Sequence, residues 1–253
     1  ERVALVLLDE MNLARVEYYF SEFLSRLEAR PEYDFSGDAV KRRNATIPMD
    51  IRGLDQAISL FPSHNLLFAG TMNDDESTNS LSDKVLDRSN ILQFSAPNRF
   101  TAATQANNIE VNSEALKFST WRKWIKNYDD MDARSKEMSI KTINKLGKIM
   151  RDMGRPFGHR MNDSIMAYCA NYPRVGPAQR DINIPLMDQI ELRLLPKLRG
   201  VELENQRENF EALTLVIRQV LQQNTFADYF DNIIEEQSRT TGLFNWRGYT
   251  SNE

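Results

Sequence analysis

The chain has 253 residues, of which 41% are hydrophobic and 27% are charged. This composition is typical of a globular protein with one large domain or two modest ones. The net charge of −4 excludes a global positive field that would draw the chain onto nucleic acid. The single cysteine, Cys169, excludes an intrachain disulfide framework. Its apolar neighbours predict a helix core, which suits a reducing, cytoplasmic setting. No apolar run approaches the ~20 residues that cross a membrane.

The first part of the chain contains three apolar runs that predict strands. Residues 3–8 and 66–72 predict strands buried on both faces of a parallel sheet. The shorter run at 91–94 predicts a third strand. Apolar residues spaced by threes and fours over 13–27 predict an amphipathic helix. Within the less regular stretch 33–60, the segments 34–38 and 46–51 predict short strands or a hairpin.

A short helix and then only helices are predicted further along the chain. Ser80 and Asp83 fit a capping box ahead of a helix over 81–88, and Pro97 marks the end of the strand-containing part. Apolar periodicity then predicts helices over 112–127, 135–153, 160–171, 185–198, 203–223 and 226–237.

These elements predict an α/β fold class followed by an all-α part. The corresponding domains cover 1–97 and 98–240, with a flexible polar tail over 241–253. The chain opens on a strand at Glu1 without an initiator methionine. We therefore expect it to be a piece of a longer polypeptide.

Two acids, Asp9 and Glu10, follow the first predicted strand. Open α/β sheets bind ligands at the carboxyl ends of their strands. Phosphoryl transfer needs a divalent ion and a group that orients the attacking water. Asp9 is therefore a candidate Mg2+ ligand and Glu10 a candidate for polarising the water. The alternative is a pair of acids that precedes a helix start, which also favours negative charge.

Three further residues are candidates for the same chemistry. Asn73, at the end of another predicted strand, could hold the attacking water, although Asn is also ordinary in a turn. Arg88, before the strand predicted at 91–94, could stabilise transition-state charge on a neighbouring molecule. Arg160 could reach phosphates from the helical part. Both arginines could equally be solvated surface charges.

The resemblance to a known family rests on four short motifs in this order: Asp9-Glu10-Met11-Asn12, Gly70-Thr71-Met72-Asn73, Leu86-Asp87-Arg88 and Gly158-His159-Arg160. Together they resemble the AAA+ motor subunits of the McrB type, the NTPases of modification-dependent restriction systems. The stretch at 188–200 also looks like the distal part of McrB-related chains. The resemblance covers residues 3 to about 200, and it implies a partial AAA+ P-loop NTPase core plus a helical lid domain.

Roles for five residues are implied by this resemblance. Asp9 is the Walker B acid of the Mg2+ site, and Glu10 is the catalytic glutamate. Asn73 is the sensor 1 residue. Arg88 is the arginine finger that acts on a neighbouring subunit's nucleotide, and Arg160 is the sensor 2 candidate. The run after the sensor strand departs from that of McrB, so ATP and GTP both remain open as the nucleotide.

The resemblance also implies partners and a setting. Similar proteins form homo-oligomers, as hexameric rings, and pair with an McrC-like endonuclease subunit in bacterial DNA defence. Their DNA contacts are made through other domains or through the partner. Two alternatives remain open: a remodelling ATPase of the MoxR or chaperone type, and a non-catalytic scaffold derived from the AAA+ fold.

The phosphate-binding half of such a site is missing from the sequence. No Gly-x-x-x-x-Gly-Lys-[Ser/Thr] motif occurs, and the one Gly-Lys pair, at 147–148, lies in a helical pattern. We expect this motif upstream of Glu1. Residues 1–97 alone are then expected to form an incomplete sheet, and the chain alone is expected to be catalytically silent.

Two basic segments have alternative interpretations. Trp121-Arg122-Lys123-Trp124 places both indoles on one helix face, which favours core packing over base stacking. The cluster at 41–43 favours a solvated loop over a loop that faces a pore or DNA. His64 and His159 lack partners at zinc-ligand spacing, so the sequence predicts no zinc site.

Overall fold

The computed structural model describes residues 2–30, 39–49, 53, 58–73, 81–94, 114–173 and 181–249. The chain divides into two compact units, the first made of Glu1–Arg88 with Asn107–Trp124 and the second of Ser89–Ala106 with Ile125–Glu253. Pro97, where the boundary is predicted, lies outside the described residues.

The strands of the first unit are β1 (Ala4–Leu8), β2 (Ile47–Met49), β3 (Ile58–Leu60) and β4 (Leu66–Gly70). β1 and β4 run parallel, with Leu8 opposite Gly70, and β2 pairs antiparallel with β3. The strands predicted near 3–8 and 66–72 are therefore confirmed, with shorter bounds. Of the two segments predicted as short strands or a hairpin, 46–51 contains β2, and 34–38 lies outside the described residues; β3, which pairs with β2, was not predicted. The parallel sheet has two strands among the described residues.

The helices of the first unit are α1 (Val16–Ala29), α2 (Ala39–Ala45), α3 (Asp83–Leu86) and α4 (Phe118–Trp124). α1 belongs to the crossover that two parallel strands require. It packs on the sheet through Phe23, whose ring meets the edge of Phe68 at a centroid distance of 5.1 Å. α3 is shorter than the helix predicted over 81–88. Ser80 of the predicted capping box lies outside the described residues, and Ser82 precedes α3 without a side-chain cap.

The prediction that β1 is buried on both faces is wrong. Leu5 and Leu7, which point to the same side of the strand, are 64% and 61% exposed. In the described part of the chain β1 has a single strand neighbour, β4. A sheet of two strands with only part of its surface covered leaves such apolar residues in water.

The second unit is built from α5 (Ala133–Asp152), α6 (His159–Asn171), α7 (Asn183–Gln189), α8 (Leu195–Lys197), α9 (Arg207–Leu215) and α10 (Asn224–Thr240). These helices confirm the five predicted from residue 135 onward, with shifted ends. Asp132 begins α5 by accepting the N–H of Ser135 at 2.9 Å. Cys169 is fully buried in the core of this unit, as predicted.

Residues 91–94 form no strand, which corrects the third strand prediction. The N–H of Ile91 donates instead to the carbonyl of Leu192 at 3.0 Å, within a π-helical turn at Ile190–Leu194. Pro196, four residues after Leu192, has no N–H to donate to that carbonyl. The Leu192 carbonyl, to which Pro196 cannot donate, therefore accepts a hydrogen bond from Ile91, a residue distant in sequence.

The prediction of a flexible tail over 241–253 is wrong for residues 241–249, and residues 250–253 lie outside the described chain. Phe244 and Trp246 are 0% and 2% exposed and belong to the hydrophobic core. The side chain of Gln237 on α10 donates to the Asn245 carbonyl at 2.7 Å and accepts the Asn245 N–H at 2.8 Å. The segment is polar in composition, but two aromatic anchors and this amide clamp hold it in place.

Candidate functional site

The acid pair and the polar residues after β4 lie at the same edge of the parallel sheet. The register that sets Leu8 opposite Gly70 brings the two strand ends together. The pairing continues beyond the strands, because Thr71 N–H donates to the Leu8 carbonyl and Met11 N–H donates to the Thr71 carbonyl, both at 2.9 Å. These hydrogen bonds therefore fix the backbone of both strand ends at the carboxyl edge of the sheet, where open α/β sheets bind ligands.

Thr71 joins the two acids, and the sequence analysis gave it no role. Its hydroxyl donates to Oδ1 of Asp9 and accepts the backbone N–H of Glu10, the latter at 2.9 Å. A single hydroxyl thus orients the first carboxylate and fixes the backbone of the second acid. The signal for it was present in the Gly70-Thr71-Met72-Asn73 motif, but only the register of the strands shows what the threonine contacts.

Glu10 adopts a backbone conformation that is unusual for its residue type. Its φ of +50° lies in the left-handed region, which costs a non-glycine residue of order 1 kcal/mol and is concentrated at functional sites. The conformation is held by Thr71 and by the Glu10 carbonyl, which accepts the Leu13 N–H at 3.2 Å. The result is an exposed carboxylate on a fixed backbone.

Two neighbours of Glu10 support this turn. A Cβ on Gly70 would lie 2.2 Å from Sδ of Met11, so only glycine allows the Met11 side chain its place. The carbonyl of Met11 accepts the phenol of Tyr19 on α1. Partial desolvation raises the pKa of the Tyr19 phenol above its usual value.

Asn73 lies at the same edge, and a second asparagine positions it. The side-chain amide of Asn12, which is buried, donates to the Asn73 carbonyl at 2.7 Å. The side chain of Asn73 is exposed. The structure therefore brings together three of the five predicted site residues, Asp9, Glu10 and Asn73, and it adds Thr71 and Asn12.

Arg88 is held elsewhere in the first unit. Its guanidinium pairs with Oε2 of Glu28 on α1 at 2.9 Å and donates to the Lys84 carbonyl at 2.9 Å. The Arg88 side chain is only 11% exposed. Glu17 on α1 accepts the Ser82 N–H at 3.1 Å and ties down the start of α3. Within the described residues, none of the hydrogen bonds of Arg88 reaches the acid pair.

Arg160 belongs to the second unit. It lies exposed in the first turn of α6, directly after His159. The structure therefore places the predicted sensor 2 residue in a different unit from the acid pair.

The oxygen atoms at the strand edge suit a hard cation. Mg2+ prefers oxygen ligands, keeps several waters, and is commonly held by one or two carboxylates together with substrate phosphates. The Asp9 carboxylate and the Thr71 hydroxyl beside it provide this kind of donor. Among the described residues no group of three or more His, Cys, Asp or Glu side chains could hold a metal ion.

Comparison with known proteins identifies a family for the helical part. Residues 108–239 match the family described as a domain of unknown function, DUF8727. The match spans more than half of the chain, so the chain belongs to this family. No curated protein and no solved structure matches the chain. The matched residues include α4 to α9 and nearly all of α10, and the acid pair lies outside them.

The described residues contain no helix that is both long enough and apolar enough to span a lipid bilayer.

Proposed function

We propose that this chain carries the acid half of a AAA+ nucleotide-hydrolysis site, as part of an McrB-like motor subunit. The observation that carries the proposal is the junction of the two parallel strands. Asp9 and Glu10 at the end of β1 meet Thr71 and Asn73 at the end of β4. Carboxylates and an amide at the carboxyl edge of a parallel sheet are groups that phosphoryl transfer uses to hold the metal ion and to orient the attacking water.

Each residue at this edge has a role in the proposed reaction. Asp9, oriented by the Thr71 hydroxyl, holds Mg2+, which when bound neutralises charge on the phosphates of ATP or GTP. Glu10 accepts a proton from the attacking water, and its fixed backbone keeps the carboxylate at the sheet edge. Asn73 orients the same water through its exposed amide, while Asn12 holds the Asn73 backbone.

The proposal needs a phosphate-binding loop from outside these 253 residues, because the sequence has no such motif. It also gives Arg88 a conditional role. To act as the finger on a neighbouring subunit's nucleotide, the Arg88 guanidinium must exchange the Glu28 carboxylate for a phosphate. Arg160 would serve as sensor 2 only in a conformation that brings the lid to the nucleotide.

The setting of the proposed activity follows the resemblance. The subunit would work in the cytoplasm as a hexameric ring, together with an McrC-like endonuclease subunit. DNA would be contacted through other domains or through that partner.

The test is a pair of Glu→Gln substitutions in the natural full-length polypeptide that contains these residues. Glu10→Gln keeps the size of the side chain but removes the proton acceptor, so hydrolysis of ATP or GTP should fall by at least about 100-fold. Nucleotide binding should persist, since the change leaves Asp9 in place. Both are measured with Mg2+, by phosphate release and by fluorescent-nucleotide binding.

Glu22→Gln is the matched control, because Glu22 is an exposed residue on α1 whose ion pair with Arg26 is of the surface i,i+4 kind. It should leave hydrolysis unchanged. Full hydrolysis by the Glu10→Gln protein would contradict the assignment of Asp9 and Glu10 to a nucleotide-hydrolysis site.

A further inference from the structure

Helix α4 presents its aromatic side chains to solvent. None of its residues is buried. Trp124 is 55% exposed and Trp121 is half-buried. Their rings meet edge to face, with centroids 6.0 Å apart and planes at 68°. The sequence expectation that both indoles pack in a core is therefore wrong, because the helix lies on the surface of its unit.

Basic residues lie on and next to α4. Lys117 is one turn before Trp121 and shares the face of the indoles, whereas Arg122 and Lys123 lie between the two tryptophans in sequence and on the other sides of the helix. Lys117, Arg122 and Lys123 are all exposed. An isolated β-bridge pairs Lys117 with Arg2, which is also exposed. Against these four basic residues stands the exposed Glu114, so the described residues on and around α4 carry a net positive charge in a chain whose net charge is −4.

The base of α4 is fixed to the edge of β1. The Val3 N–H donates to the Leu116 carbonyl at 2.9 Å, next to the bridge between Arg2 and Lys117. The side chain of Asn65 donates to the Arg2 carbonyl at 2.9 Å. The aromatic and basic groups are thus mounted on backbone that is hydrogen-bonded on both sides, which lowers the entropic cost of binding a ligand.

We infer that this surface, the α4 patch (Arg2, Lys117, Trp121, Arg122, Lys123 and Trp124), binds single-stranded nucleic acid. A base stacks on the open face of the Trp124 indole, and the flanking cations contact the phosphates on either side. Proteins that bind single strands without sequence preference combine these two features, an aromatic platform and a positive groove. The inference does not depend on the acid pair or on nucleotide hydrolysis.

The chemistry of the patch favours a single strand over two other anionic ligands. A duplex buries the faces of its bases in its own stack, so it would leave the exposed indole unused. An acidic peptide would satisfy the cations but has no flat surface to cover Trp124. Single strands satisfy both, and the binding should weaken with salt because phosphate contacts release counterions.

The experiment measures fluorescence anisotropy of a labelled oligothymidylate of about 20 nucleotides on titration with the purified protein. Trp124→Ala should weaken binding by about 5- to 140-fold, the range that loss of one stacked base gives. Tyr18→Ala is the matched control, because Tyr18 is an aromatic residue of the same unit that is 81% exposed, and it should leave binding unchanged.

The cations are tested by the salt dependence. Lys117→Gln, at an exposed position on the face of the indoles, should reduce the slope of log K against log salt by about 0.7, the value for one phosphate contact on a single strand. Lys148→Gln, at an exposed position on α5, should leave the slope unchanged. If Trp124→Ala lowers the unfolding midpoint, Trp124→Phe is used as a second variant. It keeps a stacking ring, so it should retain most of the affinity for the oligonucleotide.

Three results would overturn the inference. The first is no binding of the oligonucleotide at low salt. The second is unchanged affinity in the folded Trp124→Ala protein. The third is displacement of the oligonucleotide by polyglutamate, or by a duplex of the same length, as readily as by an unlabelled single strand, which would show a general anion surface.

Discussion

Two small residues at the end of β4 determine the geometry of the acid site. Gly70 leaves the space that Met11 occupies, and Thr71 links the Asp9 carboxylate to the Glu10 backbone. Neither residue is charged, and neither would take part in chemistry itself. Both act by placing Glu10 in its left-handed conformation with the carboxylate at the sheet edge.

Adding a methyl group at Gly70 should therefore destabilise the protein. In Gly70→Ala the new Cβ would force the flexible, half-buried Met11 side chain off its rotamer, which should lower the free energy of unfolding by about 0.5–1.5 kcal/mol. Urea denaturation measures the change. The double variant Gly70→Ala with Met11→Ala should recover most of the loss, because the group that clashes is gone.

Gly147→Ala is the control and should have the opposite sign. Gly147 lies within α5, and a Cβ there would meet only Cζ of Phe157 at 3.6 Å, an ordinary contact. Alanine in a helix interior should raise the free energy of unfolding by about 0.5–1 kcal/mol. Equal effects of the two substitutions would contradict a specific role for Gly70.

At the scale of elements, α10 and the segment after it form one packed structure. The Gln237 amide bonds both backbone groups of Asn245, as a neighbouring strand would. This places Phe244 and Trp246 in the core of the second unit. A single side chain thus replaces the pairing that a strand would otherwise provide.

Removing this side chain should release the segment. Gln237→Ala leaves a backbone N–H and a carbonyl of Asn245 without partners, at about 1–3 kcal/mol for each group. The free energy of unfolding should fall accordingly, and limited proteolysis should cut within 241–249. Glu235→Ala, on the exposed face of the same helix, should change stability by no more than about 0.5 kcal/mol.

The sequence predicted elements whose apolar residues repeat at a regular spacing, because that spacing is set by the element itself. α5, α6 and α10 were found within a few residues of their true ends. The run at 91–94 was predicted as a strand because it is apolar. A strand also needs a partner, and Ile91 donates instead to the Leu192 carbonyl.

The acid site was predicted in part for a related reason. The position of Asp9, Glu10 and Asn73 after apolar runs was enough to place them together, since the ends of parallel strands meet at one sheet edge; their roles stay a prediction. Thr71 was not predicted, because its role depends on register. The tail was predicted to be flexible because most of its residues are polar, although Phe244 and Trp246 are not. Its hydrogen bonds to Gln237 could not be predicted, because Gln237 lies on another element, α10.

At the scale of the whole molecule, the two candidate surfaces differ in their relation to the family. The α4 patch, apart from Arg2, and most of the second unit lie within the residues matched by the family, 108–239. The acid pair lies outside them. An activity shared through the matched domain would therefore be expected at α4 or in the second unit, and not at the sheet edge.

The stability of the molecule should also respond to pH through Glu191. Burial raises the pKa of the Glu191 carboxyl, opposed by the Tyr249 N–H that donates to it at 3.1 Å, while the charge of Asp188 adds to the rise. The folded protein therefore holds this proton more tightly than the unfolded chain. The stability that results is full below the usual carboxyl pKa of 4.5 and is lost as the pH rises through the folded value.

Glu191→Gln should remove this dependence, because its amide oxygen still accepts the Tyr249 N–H and never ionises. The variant should gain stability relative to the natural protein as the pH rises from about 4 to 8, measured by urea denaturation at each pH. Glu204→Gln, at an exposed position, should follow the natural protein throughout. A constant difference between the Glu191→Gln and natural proteins would contradict the assignment.

The proline at 196 has an evolutionary consequence. Because it cannot donate to the Leu192 carbonyl, that oxygen is kept for the Ile91 N–H. A backbone donor serves equally well with almost any side chain, so position 91 is free to vary as long as it is not proline. Among relatives we therefore expect proline to be constant at position 196 while the residue at position 91 varies. Covariation between pairs of positions would not detect this dependence, because one of the two positions does not change.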